Sequence, residues 1–439
     1  MKPQWGVIAD DRYRTIPESR LIDTLLVAGF PLEVQAGRRP QAEAQTATSL
    51  ARWIELGLGY RRAENGERLF DPVETVNCMK WAGLNGLDDF WADHFVSTGR
   101  AVLREWDDSN VLDQATTAGP KPPRRFNVTI KRMFDLSQHS ANAKARLRLP
   151  LPLEGWTSDK VKVSPNIPAD LTANIAMSDG RFDVQFAAPA NRIIEIGAEL
   201  SFTTTGAPVD RAASGLGEKD RELYLRSNEG LIKITPRIDT LAKRLAGTGR
   251  NSMEVVTALW CYMLDELNCG MTHYDQVNPD ASGEAVLDSG WYDCQLGASL
   301  FISMCRARQI PARIVSGYVM YRSAPGFHYW AEVWLEDRGW TPFDVLCWDL
   351  SRKGRDKAWR DYFAGSVDYR MVTQCMPRAV TGPMSARFPE SWHLTTAPTD
   401  TGMITSFHGL DGSLIYTDEV EVRKEPLATA SRDLSLQAI

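Results

Sequence analysis

The sequence predicts an α+β fold in which a helix lies on an antiparallel sheet, with a β-sandwich and an N-terminal helical domain ahead of it. Three observations carry that expectation. Residues 1–113 repeat apolar side chains at helical spacing, residues 126–206 break into short alternating runs, and residues 207–388 pass from helical runs back to strands. A chain of 439 residues also exceeds one ordinary core, so several packed units are expected.

In the first unit Ser19 is placed to cap a helix over 20–28 that Gly29 stops. The segments 41–56, 73–84 and 88–106 continue the pattern, with Gly86 as a break. Residues 114–125 hold Gly119, Pro120, Pro122 and Pro123, which resist helix and strand alike and mark a linker. Strand-like runs follow at 126–134, 145–149, 160–163, 172–177, 182–186 and 192–204, parted by turns such as Ser178-Asp179-Gly180, and their spacing predicts the sandwich. Beyond the third unit, 389–439 reads as an accessory hairpin and tail. Its turn falls at Leu410-Asp411-Gly412 and its strand at 414–422.

The net charge of −6 argues against a nucleic-acid partner, which normally requires a basic face, and the cluster Lys121 to Arg125 reads as solvated linker. The apolar run Leu25 to Leu32 is too short to cross a bilayer. Glu18, Arg20 and Asp23 beside it spoil a secretory segment, so neither a membrane nor an export signal is expected. The seven cysteines, odd in number and without a Cys-x-x-Cys pair, point to free thiols in a reducing compartment, with the cytoplasm as the expected location.

The chemistry concentrates between Gly290 and Asp344. After the turn-prone Asp288-Ser289-Gly290, the run WYDCQLGASLFISMCRARQIPARIVSGY places Cys294 where an amphipathic helix begins. Unpaired N–H groups and the positive end of the helix dipole there stabilise a thiolate and can hold an oxyanion. The helix stops before Pro311, the run 314–321 is strand-like, and His328 opens a further strand, HYWAEVWL. Alternation there puts His328, Trp330, Glu332 and Trp334 on one face. The turn 336–339 returns the chain through 340–343 to Asp344. Imidazole can take a thiol proton and return it to a leaving amine, and a carboxylate on its other nitrogen fixes the tautomer. Cys294, His328 and Asp344 are therefore the expected nucleophile, base and orienting acid.

The runs DCQLGASLFISMCRARQIPARIVSGY and FHYWAEVWLEDRGWTPFDV resemble the transglutaminase-like superfamily, closely over 225–350 and loosely over 126–204. The resemblance implies a papain-like transglutaminase core with the same three catalytic residues. It also implies an oxyanion donor upstream of the nucleophile, for which Trp260 and Gln276 are candidates. Where many members carry glycine before the cysteine, this chain has Trp291-Tyr292-Asp293. Trp291, Tyr292 and Trp330 are candidates to wall an acyl-binding cleft, while Trp334 and Trp340 read as core.

The expected reaction is acyl transfer through a thioester, joining an acyl group from a carrier-bound thioester or a carboxamide to an amine. By analogy with amide synthases of small-molecule biosynthesis, the helical domain would dock the donor. A cysteine peptidase or amidase, and an inert binding module of the same fold, are the alternatives. No cofactor is expected. Cys261, Cys269 and His273 lack zinc-site spacing, no acidic loop suits calcium, and Cys305, three turns along the helix from Cys294, reads as packing. Serine-hydrolase elbows, phosphate-binding glycine loops and His-Glu-x-x-His helices are absent from the sequence.

Overall fold

The computed structural model describes residues 15–22, 25, 32–93, 123–135, 144–178, 181–187, 193–204, 215–249, 251–321, 325–350, 357–367, 369–377, 393–399, 402–409 and 412–425. The expected helical residues 94–106, the linker to 122 and the tail from 426 lie outside them.

Two helices dominate the first unit. Helix α1 spans Leu32–Glu55, starting ahead of the expected Gln41 and passing through Pro40. Helix α2 spans Pro72–Leu84. Asp71 caps it by accepting the Glu74 N–H at 2.9 Å, and Pro72 at its first position sacrifices no helical hydrogen bond. The unit is not wholly helical, because Ile16–Pro17 and Arg61–Arg62 both pair with Arg68–Phe70 in a small sheet. Ser19 does not cap a helix. It lies within a 3-10 turn, Glu18–Arg20, and its hydroxyl donates to Glu67 at 2.6 Å. Its hydroxyl and its backbone N–H both donate to the Glu67 carboxylate, which turns the side chain toward that partner.

Six strands then form where alternation predicts them: β1 Arg124–Asp135, β2 Lys144–Pro150, β3 Ser158–Asn166, β4 Ala173–Ser178, β5 Arg181–Ala187 and β6 Ile193–Thr204. They divide between two sheets. Phe126, Val128 and Ile130 from β1 and Ile194, Ile196, Leu200 and Phe202 from β6 meet Phe182, Val184 and Phe186 of the second sheet in one apolar core.

Downstream, helices α3 Pro236–Ala246, α4 Ser252–Glu266, α5 Ser282–Ser289 and α6 Cys294–Ala307 precede strands β7 Ala312–Val319, β8 Gly326–Leu335, β9 Gly339–Phe343 and β10 Arg370–Cys375. These strands form an antiparallel sheet in the order β9-β8-β7-β10. Tyr329, Ala331, Val333 and Leu335 of β8 pack into the main core with α6, whereas Trp330 and Trp334 join separate clusters, so the expected alternation holds. Gly317 of β7 faces His328 across one ladder and Val372 across the other. A Cβ there would sit 1.9 Å from the Met371 carbonyl oxygen, so only glycine lets β10 press this close.

Three last strands, β11 His393–Thr399, β12 Gly402–Gly409 and β13 Gly412–Glu425, do not stand apart as an accessory hairpin. Strand β13 pairs along β1 from Tyr416↔Phe134 to Glu425↔Arg125, which gives a six-stranded sheet in the order β11-β12-β13-β1-β6-β3.

Candidate active site

Helix α5 ends at Gly290 in the left-handed conformation, φ 76°, which a side chain would strain. The chain turns through Trp291–Tyr292, which pairs in parallel with Asn268–Cys269. Asp293 then caps α6, accepting the Leu296 N–H at 2.8 Å, so that Cys294 is the first helical residue. Cys294 is partly exposed, while Gln295 to Arg306 behind it are buried.

His328 enters from β8 and Asp344 from the residue after β9. The His328 Nε2 lies 2.9 and 3.0 Å from the two Asp344 oxygens, which leaves Nδ1 for its hydrogen bond with the Cys294 thiol. Asp344 is fully buried, yet it also accepts the Leu346 N–H at 2.8 Å and is ion-paired with Arg370 Nη2 at 2.5 Å. Burial works against the charged form of both partners. For His328, the negative charges of Asp344 and Cys294 and its hydrogen bonds to both override burial and lift the imidazole to about 10. For Asp344, burial is overridden by Arg370, His328 and the Leu346 N–H, which hold the carboxyl well below the usual range.

Tyr274 and Arg370 complete this neighbourhood, and sequence reading missed both. The Tyr274 hydroxyl lies 2.8 and 3.0 Å from the Asp293 carboxylate oxygens and 3.1 Å from Gln295 Oε1. Burial, then the charges of Asp293 and Cys294, push its pKa well above that of a free phenol. Nothing in the local pattern of Thr272-His273-Tyr274 marks it. Arg370 did leave a signal: an arginine heading a buried strand must find a buried anion.

The remaining candidates fall elsewhere. Trp260 is core, wedged between Phe301 and Phe343 at centroid distances of 5.7 Å each, because α4 turns this face onto α6 and the sheet. Gln276 is exposed on the 3-10 turn that carries Tyr274. Tyr292 is buried, its ring over Gly297 and its hydroxyl donating to the Met263 carbonyl at 3.2 Å, so it supports α6 rather than walling a cleft. Trp291 is buried with its ring against Gly270. Trp330, 2% exposed, carries the Arg370 guanidinium on its face at 4.7 Å and lies nearly parallel to the His328 ring at 6.4 Å. These tryptophans back the site instead of lining an opening.

Among the described residues no His, Cys, Asp or Glu group could hold a metal ion. Cys305 is buried, and burial pushes its thiol pKa up. His273 sits 3.4 Å from both Asp71 and Glu74 of the α2 start. Burial opposes its charge, but hydrogen bonds to those carboxylates lift it to about 10. With Asn77 holding the Met271 backbone through both amide atoms and Lys80 donating to the Cys269 carbonyl, α2 clamps the segment leading to Tyr274.

Two histidines held above their unfolded value bind protons more tightly in the native state. Their stabilisation is complete below about pH 6.5 and is lost as pH rises toward about 10. The melting temperature is expected to fall by roughly several degrees across that window, and His273→Gln should flatten the slope. A melting temperature that climbs from pH 6.5 to 10 would contradict the assignment of both ion pairs.

Residues 239–345 match the transglutaminase-like superfamily. No curated protein sequence matches the chain. Among solved structures, a presumed cysteine protease of Cytophaga hutchinsonii is similar at 15% identity, covering 71% of this chain and 94% of that one, with a TM-score of 0.47. The periplasmic domain of TgpA from Pseudomonas aeruginosa follows at 14% identity, 57% and 95% coverage and a TM-score of 0.30. Red sea bream transglutaminase is similar at 9% identity, 65% and 74% coverage and a TM-score of 0.27.

Proposed function

We propose that this chain transfers acyl groups through a thioester on Cys294 and that its acceptor is an amine. One observation carries the proposal: a partly exposed cysteine at the first position of α6 is hydrogen-bonded to a histidine that a buried carboxylate orients. The imidazolium and the helix N-terminus both face Cys294, which are the surroundings that stabilise a thiolate. The thiolate attacks the donor carbonyl, a thioester or carboxamide, and N–H groups of the first α6 turn receive the oxyanion. His328 gives its proton to the departing thiol or amine, leaving neutral imidazole and an acyl-enzyme. An incoming amine then attacks the thioester and passes its proton to His328. The amide departs, and the thiolate and imidazolium are restored.

Tyr292 and Trp330 face inward, so an aromatic shield against water does not support the amine reading. What supports it is that a bound amine attacks within its own complex, at an effective concentration bulk water does not match. Partial exposure of Cys294 favours a second reading, hydrolysis, in which the deacylating nucleophile is water. Incubating the full chain with acyl thioesters and glutamine peptides, with and without amines, separates the two: amide is expected when an amine is present, and free acid alone under every amine would remove the transferase reading. Among the described residues no helix is long and apolar enough to cross a membrane. Seven cysteines outside any disulfide support a reducing, cytoplasmic setting.

A further inference from the structure

We infer that Arg370 is a positioning residue for the Cys294 and His328 pair: its buried guanidinium, held on Asp344, weakens the carboxylate's field at the imidazole and so sets the pH at which His328 gives up its proton. The inference rests on the reading of Cys294, His328 and Asp344 given above. Arg370 lies outside the matched residues 239–345 and reaches the site from β10, the edge strand opposite β9.

Its placement is built from several directions. Strand β10 shifts register between Ser316 and Gly317 of β7, and Gly317 allows the close approach there. Arg370 thereby meets Asp344 Oδ2 at 2.5 Å, on the carboxylate whose oxygens lie 2.9 and 3.0 Å from His328 Nε2. Trp330 holds the guanidinium on its face at 4.7 Å, so the cation is fixed in plane as well as in distance.

Among the described residues, the charges facing His328 come from three elements. Asp344 acts from the end of β9, and Cys294 and Asp293 from the start of α6. The hydroxyls of Tyr274 and Tyr329 lie in the same field. The next ion pair on the His328 face of the sheet, Arg313 with Glu332 at 2.6 Å, is compensated within itself. The Asp344 and Asp293 carboxylates thus face one imidazolium beside the Cys294 sulfur, and a general acid so firmly held gives its proton to a leaving group reluctantly. Arg370 is the cation that offsets them, acting through Asp344. Removing a positive charge makes a neighbouring imidazole more basic, so the sign of the effect is fixed.

The test is a nitrogen-15 NMR titration of His328 in the histidine-labelled full chain, paired with the rate of Cys294 alkylation by iodoacetamide. Arg370→Gln keeps a donor for Asp344 without the charge and should raise the His328 midpoint by about one pH unit. Arg370→Lys keeps the charge and should leave the midpoint at the wild-type value. An unmoved or lowered midpoint in Arg370→Gln overturns the inference, as does a lysine variant displaced as far as the glutamine one. If Arg370→Gln does not fold, Asp344→Asn is compared with Asp344→Asn/Arg370→Gln, in which neither charge of the pair is left alone. The double variant should titrate higher than the single, and equal midpoints overturn the inference. Wild-type Cys294 alkylated no faster than Cys305 at pH 7 would instead sink the underlying reading of the site.

Discussion

Alanine at Cys294 is expected to leave no acyl adduct by intact-mass spectrometry and to lower the rate of donor consumption by at least about 10⁴-fold. Every bond change in the proposed cycle passes through that sulfur, and no second thiol is positioned to replace it. Cys305, on the same helix, is buried and its thiol is held protonated by its apolar surroundings. Because Cys294 packs only at the edge of the core, Cys294→Ala should melt close to the wild-type temperature, which separates lost chemistry from lost fold. Donor consumption that persists in this variant at more than a few per cent of the wild-type rate would place the nucleophile elsewhere.

Asp344→Asn is expected to reduce turnover by roughly 10³ to 10⁴-fold while Cys294 and His328 remain in place. The asparagine keeps the shape but presents a neutral amide to His328 Nε2. It offers no negative charge to support the imidazolium, and it leaves the Arg370 cation without its partner. The pH dependence should change with it. In the wild type, against burial, Asp344 and Cys294 raise His328 to about 10. Without the carboxylate the largest opposition to burial is gone, so the proton leaves at a lower pH than in the wild type. Cys294 alkylation followed from pH 5 to 10 reads this shift, and an Asp344→Asn profile superimposable on wild type would remove Asp344 from the site.

The residues that alternation and punctuation govern were legible before any coordinates. The start of α6 follows from the turn that ends at Gly290, its end from Pro311, and the His328 face of β8 from the period of two, so Cys294, His328 and Asp344 could be assigned to their elements. Contacts made across the fold were not. Ser19 had a local partner in prospect and took Glu67 instead. Tyr274 reaches the site from a segment whose local pattern says nothing of its destination, and the arginine that heads β10 signals a buried anion without identifying it. Trp260, Tyr292 and Trp330 are of the residue types that line clefts and fill cores alike, and only their neighbours decide between those fates. Leu414 to Val422 were legible as a strand, but which sheet they would join was not.

That last pairing has a bearing on how the protein comes to be made. Strand β1 is among the earlier parts of the chain to leave a ribosome, yet one of its edges stays bare until β13 emerges. Closing a ladder between such distant stretches is slow, and an open edge meanwhile is adhesive toward other copies. Yield in a recombinant host should therefore depend on temperature and chaperone supply more than on the intrinsic stability of the finished molecule.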